Sequence, residues 1–555
     1  MLRASRKEQI HIFRSNMYTL ETHPLFVDLV LEKLFQYMPE KDLKSCRLVC
    51  TKWYAPATKA LQMACKPIVF GILYKINLIR IRPDLDTIQQ FMNAMSASQY
   101  GDIRRELPFT KFDIRPYMLA PPFMHLLKQF LLEYGSAMQS LNIKLAFESA
   151  DDFSKDCFGP LELTNLRSLE FCNSVHGELR PSLTTSLRTS RGNLLESIVN
   201  AAPCLESLSL WCDSENIVWP KDAISVLKDM KLRYLQNLKI SFPMTDDCLV
   251  SLSEINAQLT SLTFVLREPI FNPEVFKQLL DSQRNTLKSL KLIDLQCNEP
   301  KIIEIPFLSQ LESLEIEGTF YGENSTLALG NFSYAKLPKL KRIILSSCHR
   351  LNFDLNAILY TSGNRGTVCH TLEEFQFSLD HNCWDLSGNC VRRLKQVFPN
   401  LRKLSVIFTS EAKWVLNSVF EHLTSLSELV INVRKCGSCI DCALTGIPPN
   451  MYEHLVRTGM YKQGPMSLDP RQLLPSITNL KGLKYLEIAG ETNANSAKRY
   501  AYNNSNIVPF TEFSVHMAFL KMKRLGKLVF RQTGDQLPQD VLAKLASAVD
   551  FVHVM

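Results

Sequence analysis

Residues 205–210 read LESLSL and place leucine at 205, 208 and 210. The spacing of three and then two ends in a strict alternation of leucine with serine. Alternation is the period of a β-strand, so Leu208 and Leu210 face one way and Ser207 and Ser209 the other. The same six-residue pattern, with Ile, Val, Phe or Met allowed at the anchors, also begins at Met138, Leu166, Leu235, Leu259, Leu287, Leu311, Leu340, Leu372, Leu401, Leu426, Leu483 and Leu525. Most of these starts lie between 24 and 32 residues apart. A strand recurring at that period is one unit of an array, because no single unit can bury its own apolar face.

The remaining residues of each unit must carry the chain back to the next strand. Several returns have helical spacing, such as NLLESIVNAAPC (193–204) and PEVFKQLLDSQRN (273–285). The expected fold is therefore α/β, a leucine-rich-repeat solenoid: a horseshoe with parallel strands on the concave face and helices outside. The concave face would carry the residues between the anchors, including Glu170, Ser209, Lys239, Thr263, Lys291 and Glu315, followed by Ile344, Gln376, Ser405 and Val430. Trp211, Lys239, Lys291 and Glu315 are the candidates there for contact with a protein ligand. Trp211 suits a binding hot spot, and packing on its neighbours in the array is the alternative. The face has no row of arginines and no aromatic ladder, which argues against nucleic acid as a partner.

Composition sets the outer limits. The chain has 555 residues, 46% hydrophobic and 21% charged, and a net charge of +8 from 63 basic and 55 acidic residues. No apolar run approaches the roughly 20 residues of a membrane span, and residues 1–18 lack the apolar segment of a secretory signal. Sixteen cysteines, mostly single and in apolar surroundings, fit reduced core residues of a cytoplasmic or nuclear protein. The N-x-S/T triplets at Asn324, Asn331 and Asn503 are then chance matches.

Residues 26–64 do not follow the repeat. FVDLVLEKLFQYM (26–38) has apolar residues at 26, 27, 30, 31, 34, 35 and 38, the stripe of an amphipathic helix. Pro39 suits a helix start, and KSCRLVCTKWYAPATKALQ (44–62) reads as a second helical stretch. The stretch 26–53 resembles an F-box, the helical module by which substrate receptors attach to the Skp adaptor of cullin–RING ubiquitin ligases. The matching positions are Val30, Leu31, Leu34, Phe35, Tyr37, Met38, Pro39, Leu43, Cys46, Val49, Cys50 and Trp53. One departure is at the start, where Phe26-Val27 stands in place of Leu-Pro and Pro24 lies upstream. An F-box followed by leucine-rich repeats resembles the F-box/leucine-rich-repeat family.

The repeat spacing and that resemblance together give a tail at 1–22, an F-box at 23–64, irregular first repeats at 65–135 and a solenoid at 136–555, with insertions at about 434–480 and 491–510. The resemblance implies docking to the Skp adaptor through Val30, Leu31, Leu34, Phe35, Pro39, Leu43, Val49, Cys50 and Trp53. A cullin scaffold and a protein substrate complete the partners, with neither nucleic acid nor membrane among them. A helical cap sealing the end of the solenoid is the competing interpretation of the module.

The first insertion carries Cys436, Cys439 and Cys442, with His454 beyond. Three thiolates and an imidazole would satisfy tetrahedral zinc, and clustered cysteines suit an iron–sulfur centre. The alternative is a reduced or redox-sensitive loop with no cofactor. Phosphate-loop, nucleophile-elbow, dinucleotide and HExxH motifs are all absent. The expectation is a non-catalytic adaptor, with a ligase-independent binding scaffold as the alternative.

Overall fold

The computed structural model describes residues 28–71, 85–97, 109–115, 121–146, 161–174, 195–212, 223–225, 227–228, 232–242, 244–255, 257–265, 272–293, 301–318, 327–330, 332–347, 358–359, 368–379, 389–409, 414–434, 440–462, 468–491, 510–531 and 537–554. They fall in two compact units, residues 1–241 and 242–555.

The first unit opens with an all-α module. Helix α1 spans Asp28–Phe35, α2 Glu40–Cys46 and α3 Thr51–Ala64. Pro39, extended at φ −64° and ψ 151°, sits just before α2, with Glu40 and Asp42 in the first turn and Lys44 in the last. That order of charge complements the helix dipole. The stretch 44–62, read as one helix, is divided between α2 and α3. The N–H groups of Leu48 and Val49 donate to the carbonyls of Ser45 and Cys46. These tight i→i−3 bonds end α2, and Cys50, at φ −162° and ψ 169°, is extended before α3 begins.

Across residues 65–67 the chain enters a parallel ladder of six strands: β1 Ile68–Gly71, β2 Lys111–Arg115, β3 Ser140–Ala146, β4 Ser168–Ser174, β5 Ser207–Cys212 and β6 Asn237–Ser241. Helices α4 (Leu85–Ala97) and α5 (Pro121–Tyr134) accompany the first strands. Phe70, Phe91, Phe112 and Phe130 pack edge-to-face or stacked with ring centroids 5.3–6.2 Å apart. Lys111 Nζ donates to the Met63 carbonyl at 2.9 Å, which ties β2 to the end of α3.

The second unit continues the pattern with β7 Ser261–Val265, β8 Ser289–Ile293, β10 Ser313–Gly318, β12 Arg342–Ser347, β13 Glu374–Leu379, β14 Lys403–Thr409, β15 Glu428–Arg434, β16 Tyr485–Glu491, β17 Lys527–Arg531 and β18 Phe551–Val554, paired in parallel in that order. All thirteen anchored strands form, each starting two residues after its first anchor, and every first anchor is at most 3% exposed. Register is fixed by one repeated device. A single carbonyl accepts the N–H groups of two consecutive residues of the next unit: Lys288 from Glu312 and Ser313, Glu312 from Lys341 and Arg342, Lys341 from Glu373 and Glu374. Each turn thereby satisfies the backbone groups that a buried chain cannot leave unpaired.

The returns are less uniform than expected. Helices α6 (Asp246–Ser253), α7 (Pro273–Ser282), α8 (Asn389–Val397) and α9 (Trp414–His422) fill some of them. Between β8 and β12 the returns instead form two short strands, β9 (Lys301–Glu304) and β11 (Leu327–Gly330), paired in parallel as a separate sheet. The interruption after β15 is also structured, with α10 at Asp441–Thr445 and α11 at Pro449–Thr458. Gly446 (φ 72°) and Gly459 (φ 65°) end these two helices in the left-handed region. Beyond them α12 (Glu512–Met517) and α13 (Gln539–Ala548) complete the unit. The second insertion lies outside the described residues, except at its ends.

Candidate functional site

In the helical module, α1, α2 and α3 close a core of Leu31, Phe35, Leu43, Cys46, Ala57, Ala60, Leu61 and Cys65, with Met38, Trp53 and Phe109 packed on it. Phe35 and Trp53 meet edge-to-face at 5.4 Å. Burial raises the Cys46 and Cys65 thiols above their usual range, so both behave as small apolar residues. Lys59 pairs with Glu32 at 2.9 Å and holds α3 to α1.

The expected docking residues divide in two. Leu31, Phe35 and Leu43 are fully buried in this core, and Trp53 is half-buried against it. Val30, Leu34, Pro39 and Val49 are exposed, and Cys50 is half-buried. Three exposed apolar residues outside the expected set join them: Tyr37 (85% exposed), Leu48 (81%) and Met63 (53%). Scattered exposed leucines are ordinary, but adjacent Leu48 and Val49 (61%) stand out on a module this small. RLVC (47–50) places an apolar pair there, and only the break between α2 and α3 decides which way it faces.

The turn carrying that pair is held from behind. Arg47 Nε donates to Thr58 Oγ1 at 2.9 Å, and Arg47 Nη2 donates to the Tyr54 hydroxyl at 3.0 Å. Its guanidinium carbon lies 4.9 Å from the centre of the Tyr54 ring. Thr58 is fully buried.

An F-box domain model matches residues 26–55, so this segment is an F-box domain. A search of the curated proteins gives no match. Among solved structures, a chain of the crystal structure of the Rad7 and Elc1 complex in yeast is similar at 13% identity, over 99% of this chain and 98% of that one, with a TM-score of 0.35. A likeness that loose bears on neither fold nor function.

The candidate ligand-contact residues lie in separate units. In the first, Lys239 is exposed on β6, and Trp211 is half-buried on β5 with the Lys144 ammonium 5.3 Å from its ring centre. In the second, Lys291 and Glu315 are register partners on β8 and β10. Lys291 Nζ lies 2.5 Å from Glu315 and 2.9 Å from Glu317. Burial pulls its pKa down, and the bonds to both carboxylates outweigh this and raise it. That cation is neutralised within the chain. Ile344, Ser405 and Val529, on the same alternating row, are buried rather than open.

Of the four candidate metal ligands, Cys436 and Cys439 lie outside the described residues. Cys442 is buried in α10 and His454 is exposed on α11. Among the described residues, no group of three or more His, Cys, Asp or Glu side chains could hold a metal ion. Among them too, no helix is long and apolar enough to cross a membrane.

Proposed function

We propose that the chain is the substrate-recognition subunit of an SCF-type ubiquitin ligase, with its F-box docking on the Skp adaptor and its repeats holding a protein substrate. One observation carries this: the F-box closes its own core and still exposes Val30, Leu34, Tyr37, Leu48, Val49 and Met63. Burying a leucine or valine side chain is worth about 1.5–3 kcal/mol, so covering several together favours an interface. The leucine-rich-repeat solenoid belongs to the same proposal, supported within each unit by parallel pairing of successive anchored strands. The chain supplies no reactive group in this scheme. It raises the local concentration of substrate lysines near a charged conjugating enzyme.

Expressed with an affinity tag, the intact chain recovers the Skp adaptor and a cullin, and Leu34→Asp abolishes the recovery while the repeats stay folded. An intact chain that recovers neither overturns the proposal and leaves a ligase-independent binding scaffold.

A further inference from the structure

We infer that Arg47 is a positioning residue that sets the Leu48–Val49 turn for adaptor docking, an inference that rests on the function proposed above. The turn is made of four residues, 47–50, between the end of α2 and the start of α3. On the α2 side the N–H groups of Arg47, Leu48 and Val49 donate to the carbonyls of Leu43, Ser45 and Cys46, and on the α3 side the Cys50 carbonyl accepts from the N–H groups of Trp53 and Tyr54. These backbone bonds tie the turn to the end of α2 and to the first turn of α3, and none reaches further along α3. Leu48 and Val49 also cannot anchor it, since their side chains project outward. The Arg47 side chain extends the hold beyond that first turn, to Tyr54 and Thr58.

Tyr54 and Thr58 are four residues apart on α3 and therefore share one of its faces. The planar guanidinium matches that spacing with two donors in a fixed fork, one to each hydroxyl, while its plane lies near the Tyr54 ring. Both acceptors are neutral, so the arrangement is not an ion pair. Thr58 is fully buried, and its hydroxyl accepts from Arg47 Nε. A buried hydroxyl demands such a partner, which fixes the arginine and, through it, the turn. Lysine carries three donors on one nitrogen, so it lacks the planar fork that presents Nε and Nη2 side by side to the two hydroxyls. Ordering the turn before binding removes an entropic cost that the interface would otherwise bear.

The test uses the full chain with purified Skp adaptor. Arg47→Ala and the double variant Tyr54→Phe/Thr58→Val should each weaken adaptor binding by about tenfold, mainly through faster dissociation. Arg47→Lys should be weakened by an intermediate amount. In the free chain, exchange of the Leu48, Val49 and Cys50 amides should accelerate in Arg47→Ala while that of Leu31 and Phe35 stays unchanged. Unaltered affinity in Arg47→Ala overturns the inference. So does weakening by Arg47→Ala without weakening by the double variant, because Arg47 would then touch the adaptor itself. Should Arg47→Ala unfold the module, the double variant, which retains the arginine, decides alone by the same criterion. Absence of adaptor binding by the intact chain overturns the proposed function instead, and the amide exchange then still tests the hold on the turn.

Discussion

Asp441 offers the sharpest test of how the interruption after β15 is built into the second unit. Its carboxylate has no exposure and accepts four hydrogen bonds. Oδ1 accepts from the Thr511 N–H at 3.0 Å and the Ser514 hydroxyl at 2.5 Å, and Oδ2 from the Thr511 hydroxyl at 2.6 Å and the Tyr452 hydroxyl at 3.1 Å. One side chain on α10 thereby joins α11 to the start of α12. Removing it in Asp441→Ala leaves the buried Ser514 hydroxyl, together with the half-buried Thr511 N–H and the Thr511 and Tyr452 hydroxyls, to find new partners. Each unsatisfied buried group costs about 1–3 kcal/mol, and the hydroxyls can partly reorient, so the net cost should be about 3–5 kcal/mol. Asp441→Asn should cost only about 1–2 kcal/mol, since its oxygen can keep the two Oδ1 bonds while its amide donates to hydroxyls that rotate to accept. The assay is amide exchange over residues 440–458 and 510–520, because a chain of two units has no single unfolding energy. Opening there should be about two to four orders of magnitude more frequent in Asp441→Ala. Protection within about threefold of the intact chain would refute the keystone role.

Three further outcomes follow from local geometry. Gly446→Ala should destabilise the same region by about 3 kcal/mol or more, because the added methyl collides with the Leu474 carbonyl oxygen in addition to the left-handed strain. Gly459→Ala meets open space and should cost only about 1–2 kcal/mol, so equal effects on thermal unfolding would refute the contrast. His516 has its pKa lowered by burial and by the Lys544 ammonium. The unfolded chain therefore binds its proton at higher pH than the native one, so this contribution to stability is present above the unfolded value of about 6.5 and lost as pH falls below it. His516→Gln should flatten that acid-side decline, and an unchanged slope would count against it. Phe35→Ala should unfold the F-box at a cost of about 3–5 kcal/mol, whereas Leu34→Asp one position earlier should leave its circular dichroism intact.

The repeats were legible because one rule recurs: the anchors face a dry interior and the residues between them do not. That rule located every anchored strand from Ser140 to Arg531. It was not extended to β2 and β18, where FTKFDI (109–114) and VDFVHV (549–554) keep the spacing but have no leucine at any anchor, nor to β1, where Cys65 stands at the first anchor position. It also could not tell a helical return from an extended one. KIIE and LALG form strands because short apolar runs are ambiguous until a partner strand is present. In the F-box, apolar periodicity identified the helices but not the division of labour. Leu31 and Leu34 look alike in sequence, yet one is sealed in the core and the other open, a distinction set by how α1 meets α3. Asp441 gave no signal at all, since its partners lie up to 73 residues away.

The central claim is that the apolar surface left outside the F-box core docks an adaptor. Titration of the full chain with purified Skp adaptor, beside a Leu48→Asp/Val49→Asp variant, tests it most directly. Both side chains are exposed in the free chain, so the variant should fold normally. Losing their burial at an interface, worth about 2–4 kcal/mol together, should weaken binding at least about thirtyfold. Equal affinity for the intact chain and the variant would contradict the account.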